Sequence, residues 1–477
     1  MSGATGHLSV EALAHHVERG EIDTVLLAVA DMQGRLQGKR FHAGHFVDFV
    51  VAHSAEACNY LLAVDVDMNT VGGYSLSSWE GGYGDFVLRP DLTTLRWVPW
   101  LPGTAMCLAD LESPDGTSIA VSPRQGLKRQ LARLAERGWR ALAGTELEFM
   151  VFRDTYEQAW EKGYRGLTHA NLYNVDYSLL GTARVEPLLR RLRLDMEGAG
   201  LQPESAKGEC NLGQHEIAFR YADALTTADN HAIYKNGAKE IASELGMSLT
   251  FMAKFDEREG NSCHVHLSLR DSSGAPVFAG GPVEGEAAPA PADAAASVAG
   301  ASSSVPGTSR IFEQFLAGQL ATLREMTLLF APNVNSYKRY VPGSFAPTGV
   351  AWGWDNRTCA LRAIGRGGSL RVENRVPGGD VNPYLALAAM IAGGLHGIEN
   401  ELTLEPALEG NGYSAAGLPR VPSTLAEAAE LFEKSSIARH ALGEEVVEHY
   451  SNMARVELAA YATAVTDWEK FRGFERL

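Results

Sequence analysis

Residues 145–149 read TELEF and place two carboxylates one residue apart inside an apolar run. In an extended strand, side chains at i and i+2 share a face. Glu146, Glu148 and Met150 then lie on one side, and Leu147, Phe149 and Val151 on the other. Adjacent carboxylates repel, at a cost that rises with burial. A cation should sit between them, or they should face water. The pattern recurs. CHVHLSL puts His264, His266 and Ser268 on one face, and LRVENRV puts Arg371, Glu373 and Arg375 on one face. ECNLGQHE adds Glu209 and Glu216 on either side of a Gly-Gln turn able to bring both into one site. A solvated antiparallel sheet also alternates polar and apolar residues, which accounts for any one of these strands. It accounts poorly for the set, whose polar faces are restricted to Glu, His and Arg.

Carboxylates with one or two imidazoles suit a hard divalent ion. Mg²⁺ and Mn²⁺ prefer oxygen ligands and keep several waters, whereas zinc more often recruits His and Cys. Several Glu and a His suggest two ions, able to clamp a polyphosphate. Arginine supplies the other half of the constellation: Lys338 and Arg339 in SYKRYVPG, Arg357 and Arg362 in WDNRTCALRAI, and Arg371 and Arg375. Guanidinium groups grip carboxylate and phosphate in bidentate fashion. No GxxxxGK[ST] occurs, so a P-loop is excluded as the nucleotide site. The chemistry points to metal-bound ATP activating a carboxylate.

The elements that must position these groups are readable in outline. Ser9 can cap a first helix over residues 9–20, with Val10, Leu13, Ala14 and Val17 as its apolar stripe and Gly20 as its end. IDTVLLAVAD and RLQGKRFHA read as a strand pair around Asp31–Gly34, and short strands alternate with Gly-rich loops up to residue 120. SPRQGLKRQLARLAERGW starts a helix, with Ser122 as cap, Pro123 at its first position and Leu127, Leu131 and Leu134 as its stripe. A domain boundary is expected near residue 120. Residues 281–307, rich in Ala, Pro, Ser and Gly, are expected to form a mobile surface loop. After residue 420 the chain reads as helix.

The bulk numbers bound the class. The chain has 477 residues, 45% hydrophobic, enough for a large core. Its net charge of −16 argues against nucleic acid or an anionic membrane as the main partner. Five scattered cysteines without a CxxC pair argue against a disulfide framework or a zinc ribbon and fit a reducing cytosol. The N-terminal stretch lacks the apolar run of a signal peptide. No run approaches the ~20 apolar residues of a membrane span. A cytoplasmic protein is expected.

Five ordered motifs make most of the chain resemble the glutamine synthetase family. They are the ExE strand (Glu146, Glu148), the E-x6-E segment with its GQ turn (Glu209, Glu216), the HxHxS strand (His264, His266, Ser268), NSYKRYVPG, and the RxExR strand (Arg371, Glu373, Arg375). The resemblance implies an α+β fold: a small β-grasp domain over 1–120, and a catalytic domain over 121–477 with a curved antiparallel sheet flanked by helices. It also implies a dodecamer of two stacked hexameric rings with active sites shared between subunits. Two or more Mg²⁺ or Mn²⁺ ions are implied, one held by Glu148, Glu209 and Glu216 and the other by Glu146, His264 and Glu373. Arg339 and Arg375 would grip glutamate beside Gly260, and Arg357 would stabilise the transferred phosphoryl group. His266, Ser268, Arg362 and Arg371 would face ATP. The implied reaction forms γ-glutamyl phosphate from glutamate and ATP. An amine then displaces phosphate.

The resemblance fails on the nucleophile side. Ammonia-using members follow YKRLVPG with an aromatic residue and a Glu, where this chain has Ser344 and Phe345. The family's DGSS segment is absent, leaving Asp85 as the matching acidic position. EGNSCH replaces NGSGMH, so Glu259 stands where an Asn is usual. The expected acceptor is therefore an organic amine, ethanolamine or a polyamine such as putrescine. Phe345 would form an apolar wall that also attracts an ammonium group. Asp85, Glu209 and Glu259 are candidates for the base the amine needs. The alternatives are an ordinary glutamine synthetase using ammonia and a non-catalytic family member.

Overall fold

A computed structural model describes residues 6–280 and 305–477. Most of the loop expected at 281–307 therefore lies outside the described residues. The first helix, Val10–Glu18, begins as expected, with Ser9 Oγ accepting from the Ala12 amide at 3.1 Å. Next come β1 (Thr24–Ala30), β2 (Leu36–His42), β3 (Ala55–Cys58), β4 (Asp85–Trp97) and β5 (Thr104–Glu112). They form one sheet of order β2-β1-β5-β4-β3, with β1 and β5 parallel and the other pairs antiparallel. β4 is not short: it runs for 13 residues and keeps its pairing with β5 through an irregularity between Asp91 and Arg96. The helical turns between Ala43 and His53 were not anticipated.

The helix Pro123–Ala135 starts where expected, but Ser122 makes no side-chain capping bond. Burial of Leu127 and Leu134 anchors this helix instead. β6 (Trp139–Phe152) then founds the second sheet, joined by β7 (Pro203–Gly208), β8 (Gln214–Phe219), β9 (Ala222–Asp223), β10 (Ser248–Thr250), β11 (Cys263–Asp271), β12 (Trp352–Trp354), β13 (Leu361–Ile364) and β14 (Arg371–Asn374). The main order is β12-β13-β14-β11-β6-β8-β7, and β9 and β10 also pair with β6. The sheet is antiparallel except at its edge, where β12 and β13 run parallel. The apolar sides of its strands are buried with the helices Ala224–Glu244, Arg310–Phe330 and Pro383–Glu399. The last two touch at glycines: a Cβ on Gly318 would come within 2.2 Å of the Gly393 carbonyl. Four helices, from Leu425 to Gly473, close the chain.

The first sheet is tied by charge to the helices Pro123–Ala135 and Ala224–Glu244. Arg124 is buried and bonds Asp110 at 2.7 Å, Asp91 at 2.7 Å and Asp229 at 2.9 Å. Asp91 and Asp110 belong to the first sheet, while Asp229 belongs to the helix Ala224–Glu244. Tyr384 donates to Asp229 at 2.7 Å.

Candidate active site

Strand register assembles one polar face. Glu148 stands opposite Glu216, and Lys207 stands opposite Glu216 on the other side. Glu146 stands opposite His264, His266 opposite Glu373, and Glu373 opposite Arg362. The period of two makes the sheet's apolar face on the same strands: Leu147, Val265 and Val372 are almost wholly buried.

One pole of the face is carboxylate. Oxygens of Glu148, Glu209 and Glu216 lie within 4.8 Å of one another. Gly213, at φ +69°, turns the chain between β7 and β8 so that Glu209 returns beside Glu216. Glu148 Oε2 accepts from the Ser262 amide at 2.7 Å and from Gln214 Nε2 at 2.9 Å. Burial, reinforced by the charge on Glu209, pushes the Glu148 carboxyl up to about 7. Glu216 is raised well above its ordinary value by burial, with Glu146, Glu148 and Glu209 adding to it. Burial also raises Glu209, although Lys207 opposes the shift. Lys207 forms an ion pair with Glu209, lies 3.7 Å from Asp176, and stands 4.7 Å above the Tyr177 ring.

The other pole mixes imidazole and carboxylate. Glu146, His266 and Glu373 bring ligand atoms within 4.8 Å of one another. His264 Nδ1 lies 3.3 Å from Glu146 and 3.5 Å from Glu373, while its buried Nε2 finds no partner among the described residues. Arg371 Nε donates to His266 Nδ1 at 3.3 Å, so His266 carries its proton on Nε2 and donates to Glu146 at 3.0 Å. Arg362 and Arg375 hold Glu373 at 2.8 and 2.5 Å. Burial opposes ionisation of Glu373, but His264, Arg375, His266 and Arg362 outweigh it and hold the carboxyl at about 2. Burial, with the Arg375 charge, pushes His264 down to about 4, so it is neutral at pH 7 and the arginines supply the positive charge there. The first pole is an all-carboxylate donor set that suits a hard divalent ion; the second offers one or two imidazoles as well.

Beside the second pole lies a cleft of about 410 Å³, lined by Glu146, His266, Ser268 and Arg371 together with Tyr221 and Arg270. Gly260 sits against Arg339, where a Cβ would come within 2.7 Å of the Arg339 side chain and 2.2 Å of the Ala253 carbonyl. Arg339 is buried, donating to the Val376 carbonyl and Ser262 Oγ, both at 3.0 Å. Arg375 Nε donates to the Arg357 carbonyl at 3.1 Å. Arg362 also bonds Asp355. The Arg357 side chain is exposed on the loop between β12 and β13, beside a cleft shared with Leu408 and Gly410. Ser344 Oγ donates to the Arg339 and Val341 carbonyls at 2.9 and 2.6 Å, and Phe345 follows it, 54% exposed at φ +59°. Glu259 is half-buried on the loop before Gly260, and its carbonyl accepts from Asn211 at 2.7 Å. Asp85 lies apart from these groups. It is the exposed first residue of β4, opposite Cys58, and no hydrogen bond or ion pair among the described residues links it to either pole.

Sequence reading missed Lys207, Asp176, Tyr221 and Arg270. Lys207 was within reach of the rule used elsewhere, since it stands two residues before Glu209. Asp176 arrives on a loop that has no periodicity to read.

A helix-backed sheet bearing two such poles could hold two hard divalent ions side by side. The profile described as "Glutamine synthetase, catalytic domain" matches residues 120–472, and the chain belongs to the glutamine synthetase family. It is a carbon–nitrogen ligase, of a family that generally uses divalent metal ions and ATP. Within that family it is 61% identical, over 99% of its length and 97% of the relative's, to gamma-glutamylethanolamide synthetase GlnA4 of Streptomyces coelicolor. It is 36% identical to a glutamate–isopropylamine ligase of a Pseudomonas species, over 96% of each chain. Among solved structures it resembles "GmaS/ADP complex-Conformation 1", with a TM-score of 0.81 and 27% identity over 97% of this chain and 99% of that one. The amine-ligase subfamily expected from the sequence is thus the one these two relatives represent, and γ-glutamylation of an amine is its class of reaction.

Proposed function

We propose that the protein joins the γ-carboxyl of glutamate to ethanolamine, with ATP converted to ADP and phosphate through γ-glutamyl phosphate. The observation that carries this reading is the pairing of two features. The chain is 61% identical, end to end, to a γ-glutamylethanolamide synthetase, and it carries Phe345 where ammonia-using members carry a Glu. A polyamine such as putrescine is the second acceptor to test.

Each side chain has a part in this reading. Glu148, Glu209 and Glu216 would hold one Mg²⁺ or Mn²⁺, and Glu146, Glu373 and His264 another. Bound ions would neutralise the phosphates of ATP. His266, Ser268 and Arg371 line the cleft assigned to the nucleotide, where Tyr221 offers an aromatic wall to a base; that a similar solved structure is an ADP complex supports nucleotide use. Arg339 and Gly260 would receive glutamate together with Arg375. Arg362 would face the phosphates from the Glu373 side. Arg357, exposed beside its cleft, would meet the transferred phosphoryl group. Ser344 shapes the loop that presents Phe345 to the amine's carbon chain. Glu209, raised by burial, and Glu259 are the candidates in this chain to take the ammonium proton, while Asp85 would reach a site only in a neighbouring subunit of a dodecamer.

Phosphate release from ATP, Mg²⁺ and glutamate, with ethanolamine, putrescine or ammonium, tests the proposal, with products identified by mass spectrometry. Turnover with ethanolamine well above that with ammonium supports it. Efficient glutamine formation from ammonium, with no organic amine used, overturns it.

A further inference from the structure

The segment Leu408–Tyr413 has no place in the family's sequence motifs, yet it ties together the two loops to which the reaction assigns opposite tasks. Asn356 Nδ2 donates to the Gly410 carbonyl at 2.8 Å and to the Leu408 carbonyl at 3.3 Å. The Gly412 amide donates to Thr358 Oγ1 at 2.8 Å. Both partners flank Arg357. A side chain at position 412 would abolish this fit, because a Cβ there would come within 2.7 Å of the Thr358 carbonyl. One residue further on, Tyr413 turns to the other loop and donates from its hydroxyl to the Ala346 carbonyl at 3.2 Å. Ala346 adjoins Phe345, whose backbone is left-handed at φ +59°. A left-handed conformation is costly for a bulky residue and persists only where neighbours hold it.

The loop has two anchors on either side of that residue. Ser344 Oγ fastens the near side to the Arg339 and Val341 carbonyls. Tyr413 fastens the far side, and the Tyr413 ring is itself partly covered. We propose that Tyr413 is a positioning residue for the acceptor: its hydroxyl latches Ala346, fixes Phe345 at the amine subsite, and sets that subsite relative to the Arg357 loop through the strap 408–413. The proposal rests on the reading of Phe345 as the acceptor wall.

Tyr413→Phe removes the hydroxyl and keeps the ring, so the strap retains its packing. Loss of one neutral hydrogen bond corresponds to about a five-fold effect. The KM for ethanolamine is expected to rise by about that factor, with the KM for ATP and for glutamate changing less than about two-fold. Backbone amides of 343–346 and 348 are expected to exchange hydrogen faster than in the wild type, while those of β6 and β11 stay unchanged. Ser344→Ala, which releases the other anchor, should shift the same KM in the same direction. Unchanged exchange at 343–346 and 348, or a uniform rise in all three KM values, overturns the latch. If the wild type takes ammonium alone, the functional reading fails separately; the latch is then judged by the same exchange experiment and by the KM for ammonium.

Discussion

Glu148→Gln isolates the electrostatic cost of the carboxylate pole. In the folded protein this carboxyl is pushed from 4.5 up to about 7, by burial first and by the Glu209 charge second. The unfolded chain releases the proton near 4.5, while the folded chain keeps it to about 7. Between those values the folded state binds more protons, so stability falls as pH rises through that window. Above pH 7 the full penalty is present, roughly 3 kcal/mol. Glutamine removes the charge, and its carbonyl oxygen can still accept from the Ser262 amide and Gln214. With metal chelated at pH 8, the variant should therefore be the more stable by roughly 3 kcal/mol. For a chain of this length the unfolding entropy is on the order of 1 kcal/mol per kelvin, so the midpoint should rise by about 3 °C. At pH 5 most of that advantage should vanish, because wild-type Glu148 is protonated there. Excess Mg²⁺ should reverse the order, since Glu148 belongs to the carboxylate set proposed to hold an ion. Thermal unfolding followed by circular dichroism, at pH 5 and 8, with chelator and with Mg²⁺, reads all four cases. A variant no more stable than the wild type in chelator at pH 8 would refute the reasoning, as would an advantage that persists undiminished at pH 5.

Phe345→Glu restores the carboxylate of ammonia-using relatives on an exposed loop. Glutamine formation from ammonium should rise about ten-fold or more relative to ethanolamine use, and an unchanged product ratio by mass spectrometry would remove Phe345 from the acceptor site. Arg357→Ala should lower kcat by about 10²–10³-fold with little change in the KM for ATP; a change confined to KM would assign Arg357 to ground-state binding. Arg124→Met should destabilise the protein by about 3–5 kcal/mol, because the buried Asp229 would lose its cation. Its urea midpoint measures this, and a loss below about 1 kcal/mol would show that water reaches the network.

The parts legible in the sequence were those with a period. Alternation placed Glu146 with Glu148, His264 with His266, and Arg371 with Glu373 on one face of each strand, the family resemblance grouped them, and the strand register joins the three faces into one. The first helix was legible through Ser9, and the pair β1–β2 through the turn between them. What was not legible depends on loops and on side chains that bond across long separations. Ser122 occupies the cap position without making the cap bond. The parallel pairing of β12 with β13 follows from chain topology rather than from local pattern. The bonds Tyr413 makes to Ala346, and Arg362 makes to Asp355, join residues whose spacing carries no periodic signal.

The register of β6 also bears on how such an enzyme can change. β6 pairs with β8, β9, β10 and β11 at once. A one-residue slip would exchange Glu146 and Glu148 for Leu147 and Phe149 on the polar face and abolish both poles together. Both candidate poles thus depend on one register. Phe345 and Tyr413 lie outside that lattice of pairings, on segments between the strands and helices. The proposed acceptor wall can therefore be altered without touching the register on which both poles depend.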